Sequence, residues 1–132
     1  MKHFSIKWRS STRAAKQRKF KANAPAHVRH KIASAHLSKE LRVKYGRRSF
    51  PVRKGDTVMI QKGKFGGKKG KITELDMRKF RVYVEGITTS KKDGSKVNVP
   101  IVMSDLMIVE MNLDDKMRVK ALARSKKPSE KK

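Results

Sequence analysis

A formal charge of +25 spread over 132 residues is the strongest constraint on what this chain can fold into. Lys and Arg number 36 against 11 Asp and Glu. Like charges repel when a chain collapses, so a compact state with this excess calls for a polyanion to supply countercharge. Nucleic acid is the commonest cellular polyanion, and the chain reads as a nucleic-acid ligand before any motif is considered.

Apolar residues make up 36% and aromatics 6%, too few for a core spanning the whole length. A small core with extended basic arms fits better. Without cysteine, a disulfide framework or thiolate metal site is excluded. No apolar run approaches the roughly 18 residues of a membrane span. The start, MKHFSIKWRSSTRAAK, lacks the apolar stretch of a secretory signal. The expectation is a cytoplasmic protein with no membrane partner and no cofactor.

Charge divides the chain into zones. Residues 1–50 carry a net +14 with Glu40 as the sole acid, residues 51–112 a net +6, and residues 113–132 a net +5. Residues 1–22 lack apolar periodicity and are expected to be a basic, disordered extension without a partner. Residues 23–50 read as short helices. Pro25 starts one, with Val28 and Ile32 on one face, and Ser38 caps a second that Gly46 ends. Residues 51–112 hold the core. Val58 and Ile60 alternate with polar neighbours, as do Phe80, Val82 and Val84, and further strands are expected over 71–76, 96–100 and 106–111. Lys92-Asp93-Gly94-Ser95 reads as a hairpin turn. Five short strands predict a mainly β fold, a small five-stranded barrel too tight to enclose a ligand. Residues 113–132 read as a helix and basic tail, with Leu113, Met117, Ala121 and Leu122 as the apolar stripe.

The segment RKGDTVMIQKGKFGGKKGKITELD, from Arg53 to Asp76, carries the functional signal. It is a strand, a basic glycine-rich loop and a second strand. Gly63, Gly66, Gly67 and Gly70 permit positive φ or close approach. Lys62, Lys64, Lys68, Lys69 and Lys71 surround the loop, where a polynucleotide phosphate could meet ammonium ions and backbone N–H groups. A nucleotide-triphosphate loop is excluded, because no Ser or Thr follows the Gly-Lys step in the required pattern.

This arrangement resembles the KOW motif. Asn23-Ala24-Pro25, Leu37 to Arg42, Lys44-Tyr45-Gly46, Tyr83 to Gly86 and Asn112 to Asp115 sharpen the likeness. Over roughly residues 16–124 the chain resembles the large-subunit ribosomal proteins of universal family twenty-four in archaeal form, whose eukaryotic relative is numbered twenty-six. Gly66 stands where that family usually has Lys or a polar residue, and Pro100 to Asp105 replace its His-Pro-Ser turn. The resemblance implies an SH3-like KOW barrel bound to large-subunit rRNA, neighbouring ribosomal proteins as partners, and an early assembly role. It also implies a place by the nascent-chain exit, within reach of nascent-chain factors.

The candidate rRNA-binding residues follow from both readings. In the loop they are Lys62, Lys64, Phe65, Gly67, Lys68, Lys69, Gly70 and Lys71, with Phe65 as a base-stacking tip. Arg13, Lys16, Arg18, Lys19 and Lys21 form an acid-free run in the extension. His27, Arg29, His30, Lys31, Lys39, Arg42, Arg47, Arg48 and Arg53 complete the set. His27 and His30 have no third metal ligand nearby. Catalysis has little footing, since Asp114-Asp115 more simply caps a helix and no serine nucleophile is patterned with a His and an acid. A KOW-containing transcription elongation factor, or another RNA-binding module, is the alternative. Such factors usually carry a less basic domain ahead of the motif, which residues 1–50 do not resemble.

Overall fold

Alternation of apolar and polar side chains builds the body of the molecule, which a computed structural model describes for residues 3–124. After a 3-10 turn at Ile6–Ser10 come α1 (Ala14–Asn23), α2 (Ala26–Ile32), β1 (Ser34–Leu37), α3 (Lys39–Tyr45) and β2 (Ser49–Pro51). Strands β3 (Thr57–Ile60), β4 (Lys69–Asp76), β5 (Arg81–Val84), β6 (Thr88–Ser90), β7 (Lys96–Asn98) and β8 (Ile101–Val102) follow. A 3-10 turn at Met103–Asp105 leads into β9 (Leu106–Glu110), and α4 (Lys116–Ala123) closes the described chain.

Seven strands form one sheet in the order β2-β1-β9-β3-β4-β5-β8. The pairings Val58↔Ile108, Ile60↔Leu106 and Ile72↔Val84 place matching apolar residues side by side in the core. Leu37, Val58, Ile60, Ile72, Val82, Leu106 and Ile108 are all buried there. Each such burial stabilises by about 1.5–3 kcal/mol, so the strand alternation dominates the favourable side.

The expected five-stranded barrel needs correction. No ladder joins β2 to β8 among the described residues, so the sheet is not closed. Among the described residues Lys96–Asn98 leaves the sheet and pairs only with β6, in an exposed two-stranded ribbon. Ile101–Val102 takes its place beside β5. Ser34–Leu37, absent from the sequence-based strands, joins β9 in parallel and β2 antiparallel. Its buried residues are Ala35 and Leu37, with Ala33 buried just ahead of it, an alternation that small alanines make faint. The result is a mixed helix-and-strand fold dominated by one sheet.

Local signals are realised where they depend on near neighbours. The Ser38 hydroxyl accepts from the Leu41 N–H at 3.3 Å and caps α3. Gly46, at φ 61, ends it with its N–H on the Arg42 carbonyl. The Asp93 carboxylate accepts from the Ser95 N–H and hydroxyl, tightening the β6–β7 turn. Phe80 begins no strand; it takes φ 54 in the turn before β5 and is half-buried.

Two terminal readings differ from the structure. From residue 14 onward the extension lies in α1 (Ala14–Asn23), with Phe20 buried against Phe4 at 5.4 Å between ring centroids and Phe4 also meeting Trp8. Phe4 meets Phe20 from outside its helix, with Trp8 against Phe4, a cluster which helical periodicity does not reveal. In α4, Leu113 ahead of the helix and Met117 within it are exposed, while Arg118 and Leu122 face inward. The expected tail from residue 125 lies outside the described residues.

Candidate nucleic-acid interface

The β3–β4 connection is shaped by its own backbone. Ile60 N–H donates to the Lys68 carbonyl at 3.0 Å, and Gly67 N–H returns to the Ile60 carbonyl at 2.8 Å. Gly66 N–H meets the Gly63 carbonyl at 3.0 Å, and Lys68 N–H meets the Phe65 carbonyl at 3.2 Å. Gly63 and Gly67 sit at φ 88 and 83, which residues other than glycine rarely adopt. The N–H groups of Gly66, Gly67 and Lys68 are therefore committed within the loop.

The loop's ammonium groups stand free. Lys62, Lys64, Lys68, Lys69 and Lys71 are exposed. Among the described residues only Arg53 and Arg118 enter ion pairs, with Asp115 and Asp56. The loop therefore presents positive charge without a protein counterion. Phe65 is half-buried against the core with the Lys68 ammonium 5.5 Å from its ring centroid, so it is less open than a free stacking tip. Gly70 lies within β4 without positive φ, and a Cβ there would sit 2.7 Å from the Glu85 carbonyl oxygen and from Val84 Cγ1. Its close approach is to its own sheet.

The other candidates fall into two groups. Arg13, Lys16, Arg18, Lys19, Lys21, His27, His30, Lys31, Lys39 and Arg48 are exposed on the helical side. Four arginines are already engaged. Arg29 Nε and Nη2 donate to the Ala24 and Ala22 carbonyls at 2.8 and 2.6 Å, closing the end of α1. Arg42 Nε donates to the Leu37 carbonyl at 2.7 Å, and Arg47 Nη2 to the Ala121 carbonyl at 2.8 Å. Arg53 pairs with Asp115, and that guanidinium, with the Met117 N–H, holds the Asp115 carboxyl below its ordinary pKa. A guanidinium has five N–H donors, so these arginines keep some for a ligand. No cluster of three metal-ligating side chains includes His27 or His30 among the described residues.

Sequence reasoning missed the residues that hold this surface together. Asp56 and Arg118 are both buried and meet through two hydrogen bonds of 2.6 and 2.7 Å. Asp56 also accepts from the Arg53 N–H at 2.9 Å and the Asn112 N–H at 3.0 Å. Arg118 donates further to the Asn112 and Pro51 carbonyls. The Lys54-Gly55-Asp56 turn is visible in the sequence, but a partner 62 residues away is not.

Beside this lock an open groove of about 670 Å³ runs between α2 and β4, lined by His30, Lys31, Lys54, Thr73, Glu74 and Leu75 among others.

Comparison with known proteins follows the same lines. The family of ribosomal proteins described as L26 in eukaryotes and L24 in archaea matches residues 10–125. The "Large ribosomal subunit protein uL24" of Methanosphaera stadtmanae is 47% identical over 114 residues, covering 86% of this chain and 97% of that protein. The chain belongs to this family of ribosomal proteins.

Proposed function

We propose that this family member is a structural, non-enzymatic constituent of the large ribosomal subunit, working in the cytoplasm as part of the ribosome and binding rRNA. The carrying observation is the family match over nearly the whole chain, joined to a loop of five exposed lysines without protein counterions. A surface of that kind holds phosphates by charge and shape, which suits folded RNA. The helical cations of residues 13–48 extend the same field, and neighbouring ribosomal proteins would meet what RNA leaves uncovered. The β3–loop–β4 hairpin with β5 and β9 supports reading the body as an SH3-like KOW unit spanning residues 51–112, flanked by the extension, the short helices and the C-terminal helix. A position near the nascent-chain exit, an early place in assembly and contact with exit-site factors rest on the resemblance. The transcription-factor alternative is disfavoured by the same family match.

The test is a triple variant, Lys64→Ala, Lys68→Ala and Lys69→Ala, assayed for affinity to a large-subunit rRNA transcript across a salt series. All three side chains are exposed, so the thermal midpoint is expected to hold. Each lost phosphate contact lowers the slope of log K against log salt by about 0.7–0.9, or roughly 2–3 for the triple. An unchanged slope with unchanged affinity refutes the loop as the rRNA site.

A further inference from the structure

The groove between α2 and β4 has an odd composition for a surface that meets only phosphates. Lys31 on α2 and Lys54 before β3 supply exposed cations around it, with the exposed His30 beside them. Among them sits Glu74, exposed and without an ion-pair partner among the described residues. A carboxylate there repels phosphate and weakens a purely electrostatic contact. The backbone supplies a second observation. The β4–β5 register shifts between Ile72 and Glu74, so Thr73 and Glu74 are exposed in succession where a regular strand would alternate them. The Thr73 hydroxyl donates to the Tyr83 carbonyl at 3.1 Å across that irregularity. Bulges of this kind re-aim side chains beside functional sites. Half-buried Pro51 and Leu75 give the groove apolar wall.

We infer that this groove takes an unstacked RNA nucleotide, with the flanking cations on its phosphates, its base against Pro51 and Leu75, and Glu74 accepting a hydrogen bond from an exocyclic amino group of the base. RNA is read at unstacked bases because their edges and faces are then open. A carboxylate accepts from an amino group such as cytosine N4 and repels a carbonyl oxygen in the same place. The cations therefore supply affinity and the lone acid supplies choice. The inference rests on the reading of the chain as an RNA-binding protein.

The test uses the full chain with hexacytidylate and hexauridylate, which carry equal charge and differ in the group offered at ring position four. Amide chemical shifts are followed during titration at one fixed salt concentration. Amides of residues 52–54 and 73–75 are expected to move, with hexacytidylate binding there about tenfold more tightly, the scale of one hydrogen bond to a charged group. Glu74→Ala removes a negative charge, so both oligonucleotides gain a common electrostatic factor while the difference between them disappears. Equal affinities in the parent, or a Glu74→Ala variant that keeps the difference, overturns the inference. So do shifts confined to residues 61–69. The rRNA affinity of the Lys64, Lys68 and Lys69 variant is independent of these outcomes, so the groove can fail while the rRNA reading stands.

Discussion

Removing either half of the Asp56–Arg118 pair is expected to undock α4, and the two halves are not equivalent. Arg118→Met leaves the Asp56 carboxylate buried but still accepting from the Arg53 and Asn112 N–H groups. Asp56→Ala leaves those two N–H groups without their acceptor and the buried guanidinium without its countercharge, holding only the Asn112 and Pro51 carbonyls. Breaking a buried ion pair by deleting one partner costs about 3–5 kcal/mol, because an uncompensated charge stays inside. Arg118→Met belongs at the lower end and Asp56→Ala at the upper end, since more groups lose a partner. For a domain of this size each kcal/mol moves the thermal midpoint by about 3–5 °C, giving losses of roughly 10–20 °C. The double variant Asp56→Ala with Arg118→Met is expected to cost less than the sum, because it leaves no buried charge. The assay is urea and thermal unfolding at neutral pH, followed by circular dichroism, on the parent, both single variants and the double. Losses below about 1 kcal/mol for both single variants, or strict additivity in the double, refute the lock.

Gly70→Val is expected to lower the thermal midpoint through collision with Glu85 and Val84, costing about 1–3 kcal/mol, while rRNA affinity of the folded fraction is unchanged; a variant as stable as the parent shows that β5 moves aside freely. Hydrogen exchange in the RNA-free protein is expected to be fast over residues 14–23, where Phe20 is the sole buried side chain of α1, and slowed by rRNA; strong protection without RNA counts against an RNA-ordered extension. Asp115→Asn keeps a capping side chain but loses the charge facing Arg53. The folded-state pKa of Asp115 is depressed, so its contribution is complete above the unfolded value of about 3.9 and fades as pH falls through the lower folded value. Parent and variant are therefore expected to differ in stability at neutral pH and converge in acid, and a gap that stays constant with pH excludes the ion pair as its source.

Much was legible in the sequence where the determining interactions lie within a few residues. The Ser38 cap, the Gly46 stop, the Asp93-Gly94 turn and the alternation at 57–60 and 81–84 each depend on spacing along the chain. The charge excess required an anionic partner whatever the fold, and the exposed loop lysines carry that requirement to a surface. Other features depend on which distant segments become neighbours. Ser34–Leu37 becomes a strand because β9 and β2 lie ready on its two sides, which its alanines do not announce. Gly70 is needed because Glu85 passes close by, although its place in a glycine-rich run suggested a gap left for RNA. Arg118 reads as one more surface cation until the turn at Asp56 meets α4 across 62 residues and buries both charges. Caps, turns and alternation are fixed by the few dihedrals between near neighbours. Register and burial are fixed only when the whole sheet has formed, and that is where the tertiary structure decided the partners of Gly70, Asp56 and Arg118.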